Sequence, residues 1–206
     1  MDDLKTLAHE VSGCTLCPLS ATRTRAVPGE GPERVGVMLV GEGPGFHEDQ
    51  QGRPFVGAAG QYLNVLLAKA GFQRGDVYIT NVVKCRPPGN RDPQPEEIAA
   101  CARYLERQIA LLDPKVIVTL GRFSMARWFP GEKISAIHGQ ARRFGGRVVV
   151  AMYHPAAALH QSSLRSAIEE DFRKLKQIIA EAQGKPEEKR AEPKPPKDEG
   201  EQLSLF

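Results

Sequence analysis

A short apolar run that stops at a glycine-rich, acidic loop constrains this chain more than any other stretch. The run from Val35 to Val40 is rich in β-branched residues and ends at Gly41. It predicts a buried strand, and the polar, glycine-rich residues after it predict a loop with accessible backbone. Acids and an aromatic ring in a loop at the carboxyl end of a strand are typical of a ligand site in an α/β sheet. The side chains in question are Glu42, His47, Glu48, Asp49 and Phe55.

Further apolar runs alternate with segments of helical spacing along the chain. The predicted strands are 35–41, 77–81, 115–120 and 147–153, and the predicted helices are 2–11, 61–70, 96–112, 122–128 and 163–182. Strands that alternate with helices over short loops favour a parallel sheet covered on both faces. We therefore predict an α/β fold, a three-layer α/β/α sandwich around a mostly parallel four-stranded sheet. The stretch 134–146 has no clear period and is predicted to be irregular.

The bulk composition favours one folded domain. With 206 residues, of which 41% are hydrophobic, the chain can bury one sizeable core. It has no apolar span of about eighteen residues and no signal segment, so we expect a cytoplasmic protein without a membrane partner. The formal net charge of +3 is compatible with a polyanionic partner but does not require one.

The composition changes near the carboxyl terminus. Residues 1–183 form the predicted domain, whereas residues 184–201 are rich in Lys, Glu and Pro and contain almost no apolar side chain. Such a segment cannot offset its ordering entropy, so we predict a disordered linker. The chain then ends in the apolar pentapeptide QLSLF, residues 202–206, which is suited to be a docking peptide on a tether.

Four cysteines are available for a common site. Cys14 and Cys17 have two residues between them and supply two thiolates from one turn, while Cys85 and Cys101 come from a proline-rich loop and the helix after it. Four thiolates suit either tetrahedral zinc or a [4Fe-4S] cluster, and ligand type alone does not separate the two. The alternative is that Cys85 and Cys101 are ordinary buried thiols.

Several motifs in order carry a family resemblance. The chain reads GEGPG at 41–45, GRPFVG at 52–57, TNVVKCRPP at 80–88 and HPAA at 154–157, with the cysteines placed as described. In this it resembles the family 4 uracil-DNA glycosylases. The resemblance implies an enzyme that flips uracil out of DNA and hydrolyses its N-glycosidic bond, leaving an abasic site. It also implies a [4Fe-4S] cluster on Cys14, Cys17, Cys85 and Cys101, and a monomer that is nucleoid-associated when acting.

The resemblance also implies roles for single residues. Glu42 corresponds to an acid that stabilises the cationic sugar and orients water, and His154 to a donor for the leaving oxygen of uracil. Asn81 matches the residue that reads the uracil edge, and Phe55 matches the stacking aromatic, which we expect on an exposed loop. Glu48 matches an acid near uracil C5. The glycines expected to allow close approach of the substrate are Gly41, Gly43 and Gly45.

Two departures and a set of DNA contacts complete the implied site. Gly43 stands where the family 1 enzymes place an aspartate, so their mechanism does not transfer unchanged. Asn90 stands where a related subgroup has a histidine that attaches to the sugar, which favours turnover over trapping. Contacts with DNA phosphates are expected from Arg23, Arg25, Lys84, Arg86, Arg91 and Arg165. His138 is a further candidate for a phosphate contact, whereas His47 is expected to be solvated.

The terminal pentapeptide resembles the peptide by which bacterial replication and repair proteins bind the β sliding clamp. The resemblance therefore implies two partners, uracil-containing DNA and a sliding clamp bound through Gln202 to Phe206. The competing interpretation of the whole chain is a non-catalytic iron-sulfur or zinc module that binds nucleic acid without cutting it.

Overall fold

The structure is a computed structural model that describes residues 3–184. The predicted clamp peptide and all of the predicted linker beyond Gly184 lie outside the described residues. Within 3–184, no helix is both long enough and apolar enough to cross a membrane.

The centre of the described chain is a five-stranded sheet in the order β2-β1-β3-β5-β4. Its first three strands and β5 are parallel, and β4 runs antiparallel to β5 at one edge. The parallel strands consist almost entirely of buried residues, as expected for a sheet covered on both faces. The strands are β1 Val37–Gly41, β2 Val77–Asn81, β3 Val116–Leu120, β4 Gln140–Phe144 and β5 Arg147–Met152.

The predicted α/β class is confirmed, but the predicted count of four strands is wrong. The missing strand is β4, inside the stretch 134–146 that was predicted to be irregular. Its sequence, QARRF, has two adjacent arginines and only one fully buried residue, Phe144. As an edge strand, β4 pairs on one side only, and such strands tolerate charged side chains. The sequence therefore lacks the apolar run that marks the other four strands.

Helices cover both faces of the sheet. They are α1 Leu4–Gly13, α2 Phe46–Gln51, α3 Ala58–Lys69, α4 Pro95–Leu112, α5 Arg122–Met125, α6 Ile134–Ile137, α7 Ala157–His160, α8 Arg165–Arg173 and α9 Leu175–Gln183. Two predictions need correction. The loop after β1 contains the short helix α2, and the predicted final helix is two helices that meet at Lys174, whose backbone N–H bonds to the carbonyls of both Glu170 and Phe172.

The alternation of side chains along β1 divides the core into two layers. Leu39 packs with α3, α8 and α9, including Leu63 and Phe172. Met38 and Val40 point to the opposite face, where the apolar sides of α4, α5 and α6 cover the sheet. A third, smaller cluster joins α1 to α4 and contains all four cysteines. The parallel register then brings the carboxyl ends of β1, β2 and β5 to one edge of the molecule.

Candidate functional site

A cavity of about 450 Å³ opens at the carboxyl ends of the parallel strands. It brings together most of the predicted site residues from four separate parts of the chain. Gly41 is not among the lining residues. Asn90, which stands where a related subgroup has a histidine that attaches to the sugar, lines the cavity, and Asp92 and His160 are lining residues without a predicted place there. The lining consists of Glu42, Gly43, Gly45, Glu48, Phe55, Ala59, Asn81, Asn90, Asp92, His154, Ala156 and His160.

Gly41 allows two of these side chains to meet below the cavity. It pairs with Asn81 across β1 and β2, and a Cβ atom at Gly41 would lie 2.4 Å from Asn81 Oδ1. The same Cβ atom would lie 2.7 Å from two ring carbons of Phe55. Real Cβ atoms do not approach other atoms so closely, so any larger residue here would displace both side chains.

Phe55 is held in an unusual backbone conformation. Its φ angle is +50°, a left-handed value that costs free energy in a residue with a side chain. Gly60 fits against it, since a Cβ atom at Gly60 would lie 1.9 Å from the Phe55 carbonyl oxygen. Contrary to the predicted exposed loop, the ring is only 6% exposed and is part of the core. It stacks on the His154 ring at 5.5 Å and still lines the cavity.

Asn81 presents an unpaired amide to the cavity. Its side chain is 1% exposed, and neither Nδ2 nor Oδ1 has a hydrogen-bond partner within residues 3–184. Buried polar groups without partners are rare because they cost free energy, so a pair of them lining a cavity indicates a ligand. An amide offers one donor and one acceptor side by side, and it therefore matches a ligand edge with the complementary pair.

Lys84 corrects one of the predicted DNA contacts. Its side chain is 1% exposed, so it cannot reach a phosphate. The ammonium Nζ donates instead to Thr80 Oγ1 at 2.6 Å, to the Asn81 carbonyl at 2.7 Å and to Gln108 Oε1 at 2.7 Å. Three acceptors satisfy all three donors of the ammonium group. Lys84 thereby fixes the backbone of Asn81 to α4 from behind the cavity.

Glu42 is partly buried at the end of β1, and its environment favours the protonated form. Burial and the nearby carboxylate of Asp92 raise its pKa to about 7, and Arg122 opposes this shift. Asp92 and Arg122 form an ion pair with each other. Sequence reasoning missed both residues, because Asp92 lies in a loop without regular period and Arg122 follows a different strand.

His154 is neutral in its site. Burial lowers its pKa to about 4, although the Glu48 carboxylate acts in the opposite direction. Its Nδ1 lies 3.1 Å from the backbone N–H of Ala156 and accepts a hydrogen bond from it. A neutral imidazole that accepts at Nδ1 carries its proton on Nε2, so His154 is a neutral hydrogen-bond donor at that atom.

Glu48 fastens the loop that carries Phe55. Its Oε1 accepts hydrogen bonds of 2.8 Å from the backbone N–H groups of both Val56 and Gly57. These bonds tie α2 to the segment that enters α3. Gly45 stands close to the same carboxylate, since a Cβ atom there would lie 2.9 Å from Glu48 Oε2. The side chain is therefore a structural clamp as well as part of the cavity wall.

The four cysteines line one recess between α1, α4 and the loop after β2. Three N–H groups point at its sulfur atoms: Arg23 Nη1 lies 3.1 Å from Cys85 Sγ, and the backbone nitrogens of Lys84 and Leu16 lie 3.3 Å from Cys101 Sγ and 3.5 Å from Cys14 Sγ. Burial raises the pKa of the Cys85 thiol and raises that of Cys101 to about 11. Within residues 3–184, no three cysteine, histidine or acidic side chains form a group that could hold a metal ion.

The remaining predicted phosphate contacts have mixed outcomes. Arg23 is turned toward Cys85, and Arg91 forms an ion pair with the buried Glu97 at 2.6 Å. Arg25 and Arg165 are exposed, although Arg165 also pairs with Glu169 at 3.1 Å. His138 bonds to Asp171 at 2.7 Å, and His47 is exposed as predicted.

Comparison with known proteins points to one family. The model described as "Uracil DNA glycosylase superfamily" matches residues 28–180. A type-4 uracil-DNA glycosylase of Sulfurisphaera tokodaii is 48% identical, with 86% of each chain covered. The type-4 enzyme of Archaeoglobus fulgidus is 45% identical and covers 89% of this chain and 96% of its own. A type-5 uracil-DNA glycosylase of Thermus thermophilus is 35% identical over 74% of this chain and 86% of its own.

Replacing Lys84 by methionine is expected to lower the free energy of unfolding by about 1–3 kcal/mol, because buried acceptors lose their donor. Denaturant unfolding measures the change. The control is Lys115→Met, because the Lys115 side chain is 68% exposed and forms an ion pair with the exposed Asp113. That variant should stay within about 0.5 kcal/mol of the parent protein. Equal stability of the two variants would show that the Lys84 bonds do not hold the end of β2 in place.

Proposed function

The chain belongs to the uracil DNA glycosylase superfamily, and from the geometry of its cavity we propose how it recognises and removes uracil. The family predicted from the sequence motifs is confirmed. The enzyme is a uracil-DNA glycosylase, a DNA repair hydrolase that acts on uracil-containing DNA. The observation that supports the proposed site most directly is the unpaired, buried amide of Asn81, in one cavity with Glu42, Phe55 and His154.

Uracil enters the cavity after it is flipped out of the helix, since a base inside a duplex is unreachable. The Asn81 amide then donates through Nδ2 to uracil O4 and accepts at Oδ1 from N3–H. Cytosine presents the reverse pattern at these positions and would leave the buried amide unsatisfied. Phe55, which lines the same cavity, stacks on the face of the base.

Glu42 and His154 act on opposite ends of the breaking bond. As the N-glycosidic bond lengthens, negative charge grows on uracil O2 and positive charge grows on the sugar. The Nε2–H of neutral His154 donates to O2, and no proton has to be removed from the histidine first. The ionised carboxylate of Glu42 stabilises the sugar cation and orients the attacking water. Gly43 supplies no second carboxylate beside Glu42.

The lining glycines and Glu48 shape the pocket around the base. Gly43 and Gly45 present backbone without a side chain, so base and phosphate approach closely, while Gly41 gives room to Asn81 and Phe55. Glu48 is held by two backbone N–H groups, and we assign its carboxylate to the C5 edge of uracil, where it excludes the methyl group of thymine.

The four cysteines are proposed to hold a [4Fe-4S] cluster. The recess supplies the donor set of such a cluster: four thiols, apolar walls and N–H donors from Arg23 and Lys84 aimed at sulfur. A four-iron cluster does not need three side chains around one metal ion, which is the arrangement that residues 3–184 lack. The bound cluster would supply a cross-link between the amino-terminal segment and the loop after β2. Hydrolysis needs no electron transfer, so the chemistry of the cavity remains with Glu42, Asn81 and His154.

We further propose that the enzyme is a monomer that acts on the nucleoid in the cytoplasm and is held at replicating DNA by its last five residues. Residues 202–206 form an apolar peptide after a charged, proline-rich stretch. A short apolar peptide on such a tether raises the local concentration of an enzyme at its partner without new contacts in the catalytic domain.

Uracil release from a short oligonucleotide tests the function, and its pH dependence tests the role of Glu42. Because the pKa of Glu42 is raised to about 7, its ionised fraction grows as the pH rises through 7. The single-turnover rate should therefore increase from pH 5 to pH 8. Asp92→Asn removes a negative charge beside Glu42 and should shift this rise in rate to lower pH. Arg122→Gln removes a positive charge and should shift the rise to higher pH.

Glu42→Gln and His154→Ala should each slow release by about 100-fold or more, the usual loss on removing one transition-state contact. Lys115→Met serves as the control with an unchanged profile. DNA binding by the native protein without abasic product would contradict the catalytic function and would favour the non-catalytic module. If the rate rises over the same pH range in the Asp92 and Arg122 variants, their charges do not set the pKa of Glu42.

The purified native protein should absorb near 400 nm if the cysteines hold an iron-sulfur cluster, and iron and sulfide should each be found at about four per chain. Cys85→Ser should lose this absorbance. Ser12→Ala, which changes an exposed hydroxyl near the recess, should retain it. Stoichiometric zinc without iron in protein purified anaerobically would contradict the cluster.

Deleting residues 202–206 should abolish binding to a bacterial β sliding clamp, measured by surface plasmon resonance. Uracil release from a short oligonucleotide should not change, because the cavity lies entirely within residues 42–160. A matched control replaces Leu203 and Leu205 by alanine in the full chain and should lose clamp binding equally. Unchanged clamp affinity of the deletion variant would contradict the docking role.

A further inference from the structure

Phe46 is an exposed aromatic residue at the rim of the cavity. Its side chain is 52% exposed, although a phenylalanine normally gains free energy from burial. It is the first residue of α2 and lies between Gly45 and Glu48, both of which line the cavity. The exposed ring therefore stands beside the opening through which the flipped base enters.

Two polar side chains accompany the ring. The guanidinium of Arg86 lies over the ring of Phe46, with Cζ 5.2 Å from the ring centroid. Arg86 Nε donates to Asn90 Oδ1 at 2.7 Å, and Asn90 lines the cavity. The imidazole of His47 meets the ring edge-on, with the centroids 5.5 Å apart. Arg86 is thereby held between the aromatic ring and the cavity wall.

We propose that Phe46 and Arg86 form a nucleotide subsite that takes the neighbour of the flipped uracil on the same DNA strand. The base of that nucleotide stacks on the Phe46 ring, and Arg86 binds its phosphate. Exposed aromatic rings next to cations are the usual platform for unpaired bases, because every base offers a π-face and every linkage a negative charge. The subsite rests on the proposed function, since it uses the strand whose uracil fills the cavity.

The position of the pair favours DNA over a protein partner. Consecutive nucleotides of one strand reach both the cavity and its rim, and Arg86 matches the charge of a phosphate. Val65 on α3 is a comparable exposed apolar residue, at 48% exposure, but unlike Phe46 it has no neighbour in the sequence that lines the cavity. It provides a matched control for the loss of apolar surface.

The test measures the affinity of the full chain for a single-stranded oligonucleotide with one tetrahydrofuran abasic analogue in place of deoxyuridine. Fluorescence anisotropy at fixed salt gives Kd. Phe46→Ala should weaken binding by about tenfold, the loss typical of one stacked base. Phe46→Trp should bind at least as well as the parent protein, and Phe46→Leu should bind as weakly as Phe46→Ala, because leucine lacks a π-face. Val65→Ala should not change Kd.

A second set of oligonucleotides locates the stacked base. Each lacks the base of one nucleotide next to the tetrahydrofuran site, on its 5′ or on its 3′ side. Phe46→Ala should leave Kd unchanged for the oligonucleotide that lacks the stacked base, because the ring has no base to contact there. It should still weaken binding to the other oligonucleotide. A tenfold effect that persists in both oligonucleotides overturns the stacking assignment.

The salt dependence of Kd distinguishes the phosphate contact proposed for Arg86 from the stacking proposed for Phe46. Arg86→Gln should lower the slope of log Kd against log salt by about 0.7, the value for one phosphate of a single strand, and Phe46→Ala should leave that slope unchanged. A Kd for Phe46→Ala or Phe46→Leu equal to that of the parent protein overturns the subsite. Uracil release by the native protein is measured in parallel. If the native protein releases no uracil, the proposed function is overturned. If it releases uracil but the Phe46 variants bind with the Kd of the parent protein, only the subsite is overturned.

Discussion

The site depends on the close packing of Asn81 and Phe55 against Gly41, which is possible because glycine has no side chain. At this point the end of β1 has no Cβ atom, so Asn81 from β2 and the ring of Phe55 pack directly against its backbone. The left-handed backbone of Phe55 is a cost that the surroundings must offset, and Gly60, Glu48 and the core packing of the ring do so. The amide proposed to read the base and the ring proposed to stack on it are therefore already in position before a base enters the cavity.

Burial sets the charge of the cavity as well as its shape. It disfavours the charged forms of Glu42 and His154, the two residues proposed to act at the breaking bond, and so raises the pKa of Glu42 and lowers that of His154. The neutral form of His154 suits its proposed role, because it donates a proton in a hydrogen bond without adding charge. The proposed role of Glu42 requires the ionised form, and burial, Asp92 and Arg122 together decide how much of that form is present near neutral pH.

The sequence predicts the elements that have strong patterns and fails where position depends on distant neighbours. The four parallel strands and α4 have apolar runs or clear helical spacing, whereas β4 is charged because it is an edge. The motifs indicate Glu42, Asn81 and His154, each of which lies at or within two residues of the carboxyl end of a buried strand. From the sequence, Lys84 is predicted to be a surface lysine. Its acceptors Thr80 and Gln108 belong to other elements, so the local sequence does not show that it is buried. Asp92 and Arg122 meet only in three dimensions, thirty residues apart.

Lys84 also links the cysteine recess, which takes no part in the proposed hydrolysis, to the cavity. Its backbone N–H points at Cys101, its neighbour Cys85 belongs to the same recess, and its side chain holds the carbonyl of Asn81. The recess and Asn81 are thus joined by a few residues of backbone and one buried ammonium group. Anything that tightens the recess restricts the end of β2 and the backbone of Asn81. Under the proposed function the Asn81 amide distinguishes uracil from cytosine by the direction of two hydrogen bonds, so a rigid support behind it would contribute to specificity.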